Sequence, residues 1–466
     1  MLGDYTLISR YMNDICIVGG GTAGWLSAAY LAKQLPHYKI TLIESPDIPT
    51  IGVGEGTWPS IMKMFNDIGI PSTDLITKSG GGVKLGIKFI DFSSKPFWLS
   101  TDPDWENWGT ELTSTIGNHN KCPILTKDSM HGCHFVATDL ANILKEKSQQ
   151  LGVKLIEATV SDVDVVDGFC KSVRLEDGTI IKSRWFLDAT GFRRLIIGKT
   201  NSKFNDYSSE LLVDSACVGQ KNYTDPEKEF EPFTSSIGMT AGWRFKIPVY
   251  NRTGNGYVYS SKFISKEDAE AEFTAASGVS NPRHIKMHPG YYEEIIKNNI
   301  VAVGFSSGFI EPLEATAIHI AGQTVKNAVE VMTKRQTQAQ ANADLNKKIK
   351  YIKVVVLGHY AFSERSEPFW QAASKAAQNS KDFQNFWKQL KYKYPTKEDS
   401  LDNGYPYFQW NELLRGFGKD HYYPTLTQGA KMQVYLANKS LPNHYRYITQ
   451  LRDKNDRASK ETMDNR

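Results

Sequence analysis

The chain has 466 residues, enough for about three average domains or for one large α/β enzyme. Its 55 basic and 51 acidic residues leave a formal charge of +4, too small to argue for nucleic acid, and no Lys/Arg block stands out. Hydrophobic residues make up 40% and charged residues 23%, as in an ordinary globular protein, while the 12% of aromatics can build pockets for planar ligands as well as core.

The N-terminus lacks a basic stretch followed by an apolar one, which argues against secretion, and residues 1–11 read as a flexible lead ahead of Met12. Asp14 to Val18 reads as a buried parallel strand. Gly19-Gly20-Gly21-Thr22-Ala23-Gly24 follows, then helical spacing from Trp25 to Leu35, then a strand from Lys39 to Ile43 ending at Glu44. This is GxGxxG inside a strand–turn–helix–strand unit with an acid 20 residues beyond Gly24. Gly19 allows the tight turn, Gly21 lets backbone approach a pyrophosphate, and Gly24 lets helix and strand pack closely. The helix N-terminus attracts phosphate charge, and Glu44 can accept bonds from ribose hydroxyls. A dinucleotide site is therefore expected here.

The loop from Ile51 to Pro59 carries Gly52, Gly54, Glu55 and Gly56. So much backbone freedom beside a nucleotide site suits contact with a flavin ring, and equally a plain surface turn. Val83 to Phe89 alternates as a strand, which places Lys84 and Lys88 on one face, toward solvent or a cavity. Paired strands are expected over 153–166 and 169–175, turning at Asp167-Gly168. A strand over 184–187 runs into Asp188-Ala189-Thr190-Gly191. Residues 240–248 alternate again. A buried strand from Val301 leads through Phe305, Gly308 and Glu314 to a helix starting near Thr316, whose free amides form a natural anion seat. Amphipathic helices follow over 320–355 and 366–393, and the polar tail from Arg452 is expected to fray.

The apolar-looking run 300–310 is too short for a membrane span. The cysteines Cys16, Cys122, Cys133, Cys170 and Cys217 form no CxxC pair and suit a reducing cytoplasm. Cys122, His131, Cys133 and His134 match no common zinc spacing, so no metal is expected.

Taken together, these segments resemble the flavin-dependent halogenases, the tryptophan-halogenase-like group. Six elements match in order: Gly19–Gly24; Gly52–Pro59; Lys84 in V-K-x-G-I-K-F; Trp243–Pro248; Phe309–Ile318; and His359-Tyr360 with Arg365 and Pro368-Phe369-Trp370. The likeness runs from about Asp14 to Trp370, and the short, Lys/Asn-rich chain is similar in style to marine or phage members. The resemblance implies an α/β fold: a Rossmann-like FAD-binding core of the glutathione-reductase and p-hydroxybenzoate-hydroxylase-like kind, an inserted β-rich substrate layer and a C-terminal helical cap. The corresponding parts are 12–75, 131–200 and 290–325 for the core, 76–130 and 201–289 for the β-rich part, and 326–455 for the helices. Residues 1–11 and 456–466 are expected to be flexible.

The family uses reduced FAD from a separate reductase. Oxygen gives a flavin hydroperoxide, halide attacks it, and hypohalous acid passes through a tunnel to an aromatic substrate. By resemblance Lys84 is the tunnel-end lysine, donating a hydrogen bond to the hypohalite or forming a haloamine. Glu314 stabilises the arenium ion and takes its proton. Gly54, Glu55, Asp188, Gly191, Phe305 and Gly308 would contact FAD, together with Gly19, Gly21, Thr22, Ala23, Gly24 and Glu44. Pro59, Trp243 and Phe245 would line the tunnel, and Phe97 and Trp98 are candidates to stack on substrate.

Two departures from the family pattern stand out. Phe245 replaces the second Trp of W-x-W-x-I-P. Ala317 replaces the Gly beside Thr316 in the halide seat, where an added methyl disfavours positive φ. That change, and the easier oxidation of the heavier halides, predict a preference for bromide or iodide. The expected substrate is a free indole or similar electron-rich arene. The competing readings are an FAD-dependent aromatic monooxygenase and a non-catalytic flavoprotein. Expected partners are the flavin reductase and the small substrate, with a homo-oligomer left open. The expected location is the cytoplasm, that of the host cell for a viral member.

Overall fold

In the computed structural model, residues 14–48, 52–101, 105–127, 129, 131–390, 407–419 and 428–464 are described, and the lead 1–11 lies outside them. The strand Asp14–Val18 has Ile15, Cys16, Ile17 and Val18 all buried, as a strand covered on both faces requires. Trp185–Asp188 and Lys39–Glu44 flank it in parallel. Lys154–Glu157 and Ile300–Ala302 extend the sheet on either side, and Ile296–Lys297 closes one edge antiparallel. The helix Thr22–Gln34 crosses this sheet with Trp25, Leu26, Ala28, Ala29 and Leu31 buried, between the helices Ala137–Gln150 and Ala317–Met332.

A second, seven-stranded sheet has the order Arg283–Lys286, Ser215–Asn222, Arg252–Tyr259, Gly242–Val249, Thr234–Met239, Gly86–Ile90, Phe97–Ser100. Its pairings are antiparallel except between Thr234–Met239 and Gly86–Ile90. A small sheet of Glu55–Gly56, Gly132–Phe135 and Gly82–Lys84 lies in the same chain neighbourhood.

Three expectations need correction. The alternating run 83–89 is two strands in two sheets. Gly82–Lys84 pairs with Gly132–Phe135, the chain breaks step at Leu85, whose N–H donates to Pro232 O, and Gly86–Ile90 joins the large sheet. Val83, Leu85, Ile87 and Phe89 are all buried as expected, yet Lys84 is fully buried while Lys88 reaches the surface and donates to Asn118 Oδ1. The run 153–166 also divides. Lys154–Glu157 joins the parallel sheet, and Val160–Val166 forms a hairpin with Phe169–Leu175. Finally, the polar tail is helical through Asp464 within His444–Asp464. Its Ala, Lys, Arg and Glu favour helix, and Arg452 and Asn455 anchor it by donating to Thr77 O and Thr77 Oγ1.

Among the described residues no helix is long and apolar enough to cross a membrane. The helices Gln338–Ala361, Pro368–Asn379 and Lys381–Leu390 cover the rest of the core, and Trp370 within them is fully buried.

Candidate active site

A cavity of about 330 Å³ opens beyond the carboxyl ends of the parallel strands, where such sheets place their ligands. Gly19, Gly21, Thr22, Ala23 and Glu44 line it, as do Glu55, Gly191, Phe305 and Ala317. Gly19 adopts φ +113°, and a Cβ there would lie 2.3 Å from Ala189 O. A Cβ on Gly24 would lie 1.9 Å from Gly19 O, so that glycine serves packing. A Cβ on Gly21 would meet nothing within 4 Å. The helix Thr22–Gln34 has no side-chain cap and no acid in its first turn, so its amides suit a phosphate group. Glu44 accepts from Trp25 Nε1 at 3.2 Å and Lys145 Nζ at 2.9 Å, which holds its carboxylate at the rim. This set fits a dinucleotide such as FAD. Burial raises the Glu55 carboxyl to about 7.

Not every predicted contact faces this cavity. Asp188 is a buried anchor that accepts from the Thr190, Ile196 and Ile197 amides and from Ser306 Oγ. Gly308 and Gly54 are not among the lining residues. A side chain on Gly308 would strike Gly290 O at 2.3 Å, and one on Gly54 would meet Ile247.

Glu55 and Gly56 lead from the cavity wall to Lys84. A Cβ on Gly56 would lie 3.3 Å from Lys84 Cδ and 3.4 Å from its Nζ. Lys84 is 0% exposed, and its Nζ has no hydrogen-bond partner among the described residues. Burial lowers its pKa to about 8, with Glu314 and Cys133 opposing the shift. His134 lies on the neighbouring strand with Nε2 2.9 Å from Thr234 Oγ1, and burial and Lys84 both hold its ring neutral.

Glu314 is equally buried, at the end of the turn Pro312–Glu314. Trp58, the residue before Pro59 at the start of the helix Pro59–Asp67, donates its indole N–H to Glu314 O at 2.6 Å. His359 Nε2 lies 3.0 Å from Glu314 Oε1, and Tyr360 Oη donates to Glu311 Oε2 at 2.8 Å. The His-Tyr motif therefore docks onto the two carboxylates of the Glu-Pro-Leu-Glu motif. Glu311, pushed to about 8 by burial, was not legible as a site residue, because its partner is 49 positions away in sequence.

The halide seat differs from expectation. The left-handed residue is Ala315, at φ +53°, which ends the turn. Ala317 is the first helical residue after Thr316 and has no positive φ, so its methyl imposes no backbone strain; any L residue can open a helix. Thr316 is buried and is not among the cavity-lining residues, whereas Ala317 is.

Trp243 is buried in Gly242–Val249, 6.2 Å from Phe245, and the Phe245 ring occupies the space left by Gly256. Phe97 packs between Phe89 and Phe417 at 4.9 Å from each, and Trp98 packs edge-on against Phe233. Those two rings are already engaged in packing. Their strand Phe97–Ser100 is the edge strand of the large sheet, and all four of its residues are buried.

The family model described as tryptophan halogenase matches residues 14–99 and 112–431. A tryptophan 7-halogenase of Lentzea aerocolonigenes is 31% identical, over 78% of this chain and 79% of its own length. A tryptophan 6-halogenase of Streptomyces albogriseolus is 30% identical, over 80% and 81%. The crystal structure of a tryptophan halogenase from Shewanella frigidimarina superposes with a TM-score of 0.86 at 26% identity, covering 96% of this chain and 98% of that one.

Proposed function

Because this chain belongs to the tryptophan halogenase family and is a flavin-dependent halogenase, we propose that it halogenates a free indole or similar electron-rich arene, with Lys84 and Glu314 as the catalytic pair. Reduced FAD and oxygen supply the oxidising equivalent that turns halide into hypohalous acid, and we assign the supply of reduced flavin to a separate reductase. The observation that carries the reading is Lys84: a fully buried lysine, its Nζ without a hydrogen-bond partner among the described residues, one glycine from the cavity wall. A lysine is rarely left in that state without a task.

The hypohalous acid travels from the cavity past Gly56 to Lys84. At neutral pH the amine is mostly protonated, since its pKa is about 8. The ammonium donates a hydrogen bond to the oxygen of the hypohalous acid and makes the halogen more electrophilic. A ring carbon takes the halogen, the halogen–oxygen bond breaks, and the oxygen takes the Lys84 ammonium proton and leaves as water; the proton that Glu314 collects from the ring then restores the ammonium. The ring proton passes to Glu314 and the C–H electron pair returns to the ring. The net change is an arene plus hypohalous acid giving a haloarene plus water. Trp243, packed in the large sheet, keeps the arene away from the flavin.

The test supplies a flavin reductase, FAD and NADH, and follows an indole panel by mass spectrometry. Halogenated product that requires halide is expected, whereas equal turnover to an oxygenated product without halide would overturn the reading. With chloride, bromide and iodide at equal concentration, bromination or iodination is expected to be fastest. The support is the Ala317 methyl on the cavity wall and the lower oxidation cost of the heavier halides. Chlorination as the fastest reaction would end that part of the proposal.

Gly56→Ala is a sharper probe of the path. Its Cβ would sit 3.3 Å from Lys84 Cδ and in contact with Nζ and the His134 ring, so the lysine stem must give by a few tenths of an ångström. Misplacement on that scale is expected to slow halogenation about tenfold. Flavin absorbance and affinity are expected to stay unchanged. A parental halogenation rate would show that the reagent does not pass this residue.

A further inference from the structure

The strand that carries Lys84 is held from outside its sheet. Gly82–Lys84 is an outer strand of the three-stranded sheet, next to Gly132–Phe135. The Val83 N–H, one residue before the lysine, donates at 3.0 Å to Nε2 of His444, 361 positions away. His444 opens the C-terminal helix His444–Asp464 and is 0% exposed. Its hydrogen positions follow from its partners. A backbone N–H only donates, so Nε2 carries the lone pair. A carbonyl oxygen only accepts, so Nδ1, 2.9 Å from Phe230 O, carries the hydrogen. The ring is neutral in a single tautomer, and burial, which lowers its pKa to about 4, acts in the same direction. Phe230 stacks on the ring, with centroids 4.2 Å and planes 17° apart. Gly82 lets both rings reach the strand: a Cβ there would lie 2.8 Å from His444 Cε1 and 2.4 Å from Phe230 Cζ.

We propose that His444 is a positioning residue, a neutral imidazole that bridges Phe230 O and the Val83 N–H and so fixes where Lys84 presents its amine to the hypohalous acid. The proposal rests on the reading of Lys84 given above. A neighbouring strand would satisfy an edge amide as one rung of a ladder. Here a single side chain does so, next to the residue on which the chemistry depends. On the other side, Lys84 O accepts from Thr101 Oγ1 at 2.9 Å, and the Leu85 N–H donates to Pro232 O at 2.8 Å. The backbone of the lysine is thus tied on both sides, and the Val83 tie comes from the C-terminal helix. The His444 N–H donates to Asn120 O at 2.9 Å, which sets the start of that helix. The lysine has little slack to absorb a shift, because the space beside Gly56 brings its Nζ within 3.4 Å of where a Cβ would stand. His444 is not among the cavity-lining residues, and no proton or electron passes through it. Its effect travels through the Val83 peptide.

The test compares two variants of the full-length enzyme. His444→Phe keeps the stack on Phe230 and fills similar space, but removes both ring nitrogens. Its kcat for arene halogenation is expected to fall about 100-fold, with the KM for the arene within about twofold. Hypohalous acid, collected by a dissolved 1,3-diketone in place of the arene, is expected to form at the parental rate. His444→Gln places an acceptor and a donor on one planar group, as the ring does, and is expected to recover halogenation to within about tenfold of the parent. Hydrogen exchange at the Val83 amide, followed by mass spectrometry of its peptide, is expected to speed up in His444→Phe and to stay near parental in His444→Gln. Parental halogenation in His444→Phe overturns the proposal. So does an equal loss of halogenation and hypohalous acid, which marks general damage, or a His444→Gln variant no better than His444→Phe. Lys84→Met separates the two readings. If it halogenates as the parent does, the reading of Lys84 fails and the proposed role of His444 fails with it, while Val83 exchange still reports whether the bridge exists.

Discussion

Lys84→Met is expected to abolish halogenation, to leave flavin binding intact and to make the folded protein more stable. The rate effect follows from position. Lys84 Nζ is the buried cation beside Gly56, one step from the cavity wall, and a thioether cannot donate a hydrogen bond to a hypohalite. Loss of a donor aimed at developing charge typically costs on the order of 100- to 1,000-fold in rate. The stability effect follows from the displaced pKa. Burial pulls the ammonium from 10.5 down to about 8. At pH 7 the folded chain still carries the proton, so it holds a charge its surroundings disfavour, at roughly 3 kcal/mol. Between pH 8 and 10.5 the unfolded lysine remains protonated and the folded one does not, so the parent gains stability as pH rises through that window. The melting-temperature advantage of Lys84→Met is therefore largest near pH 7 and shrinks above pH 8. Methionine fits because its volume and flexibility match the lysine stem. The same pKa separates two roles for the amine. With an ammonium donor, the halogenation rate of the parent falls above about pH 8; a neutral amine forming a haloamine would make it rise. A Lys84→Met enzyme halogenating at the parental rate would remove Lys84 from the mechanism.

The features that were legible in the sequence are the local ones. Gly19 to Gly24 and Glu44 could be placed because strand, turn and helix follow within 31 residues, and Gly19, Gly20 and Gly24 each answer a contact inside that unit or with the adjoining strand. The start of the helix at Ala317 was legible for the same reason. Lys84 and Lys88 show where local reading stops. They share one alternating pattern, but the chain changes sheets at Leu85 through a bond to Pro232 O, far along the chain. That switch, not the pattern, decides that one lysine is buried and the other reaches water. The same limit hid the docking of His359 on Glu314 and Tyr360 on Glu311, since both motifs could be read but not their contact. At residue 317 the composition pointed to a strained backbone. The strain sits two residues earlier, on Ala315, because the turn Pro312–Glu314 must reverse before the helix begins. Phe97 and Trp98 were candidates to stack on substrate, and only their neighbours show that their faces are taken.

Two glycines three residues apart in sequence, Gly21 and Gly24, provide the second large test. In Gly24→Ala the new Cβ would fall 1.9 Å from Gly19 O and 3.4 Å from Ala189 Cβ. Neither is the far end of a flexible side chain, so the helix Thr22–Gln34 must lift from the turn. Such overpacking typically costs about 1–3 kcal/mol. The displaced helix start also withdraws its amides from the phosphate site, so flavin affinity is expected to fall at least 100-fold along with thermal stability. Gly21→Ala separates the two effects. Gly21 lines the cavity at φ −73°, where any L residue is unstrained, and its Cβ would meet no protein atom within 4 Å. The folded protein should therefore melt at the parental temperature or above it, since alanine restricts the unfolded chain. A methyl on that wall occupies the space where backbone would approach a pyrophosphate, so flavin affinity is expected to fall on its own. Differential scanning calorimetry and flavin fluorescence quenching read the two quantities separately. If Gly21→Ala binds flavin as the parent does, the phosphates do not lie against this turn. If Gly24→Ala loses neither stability nor binding, close packing between helix and turn is not what the glycine motif provides here.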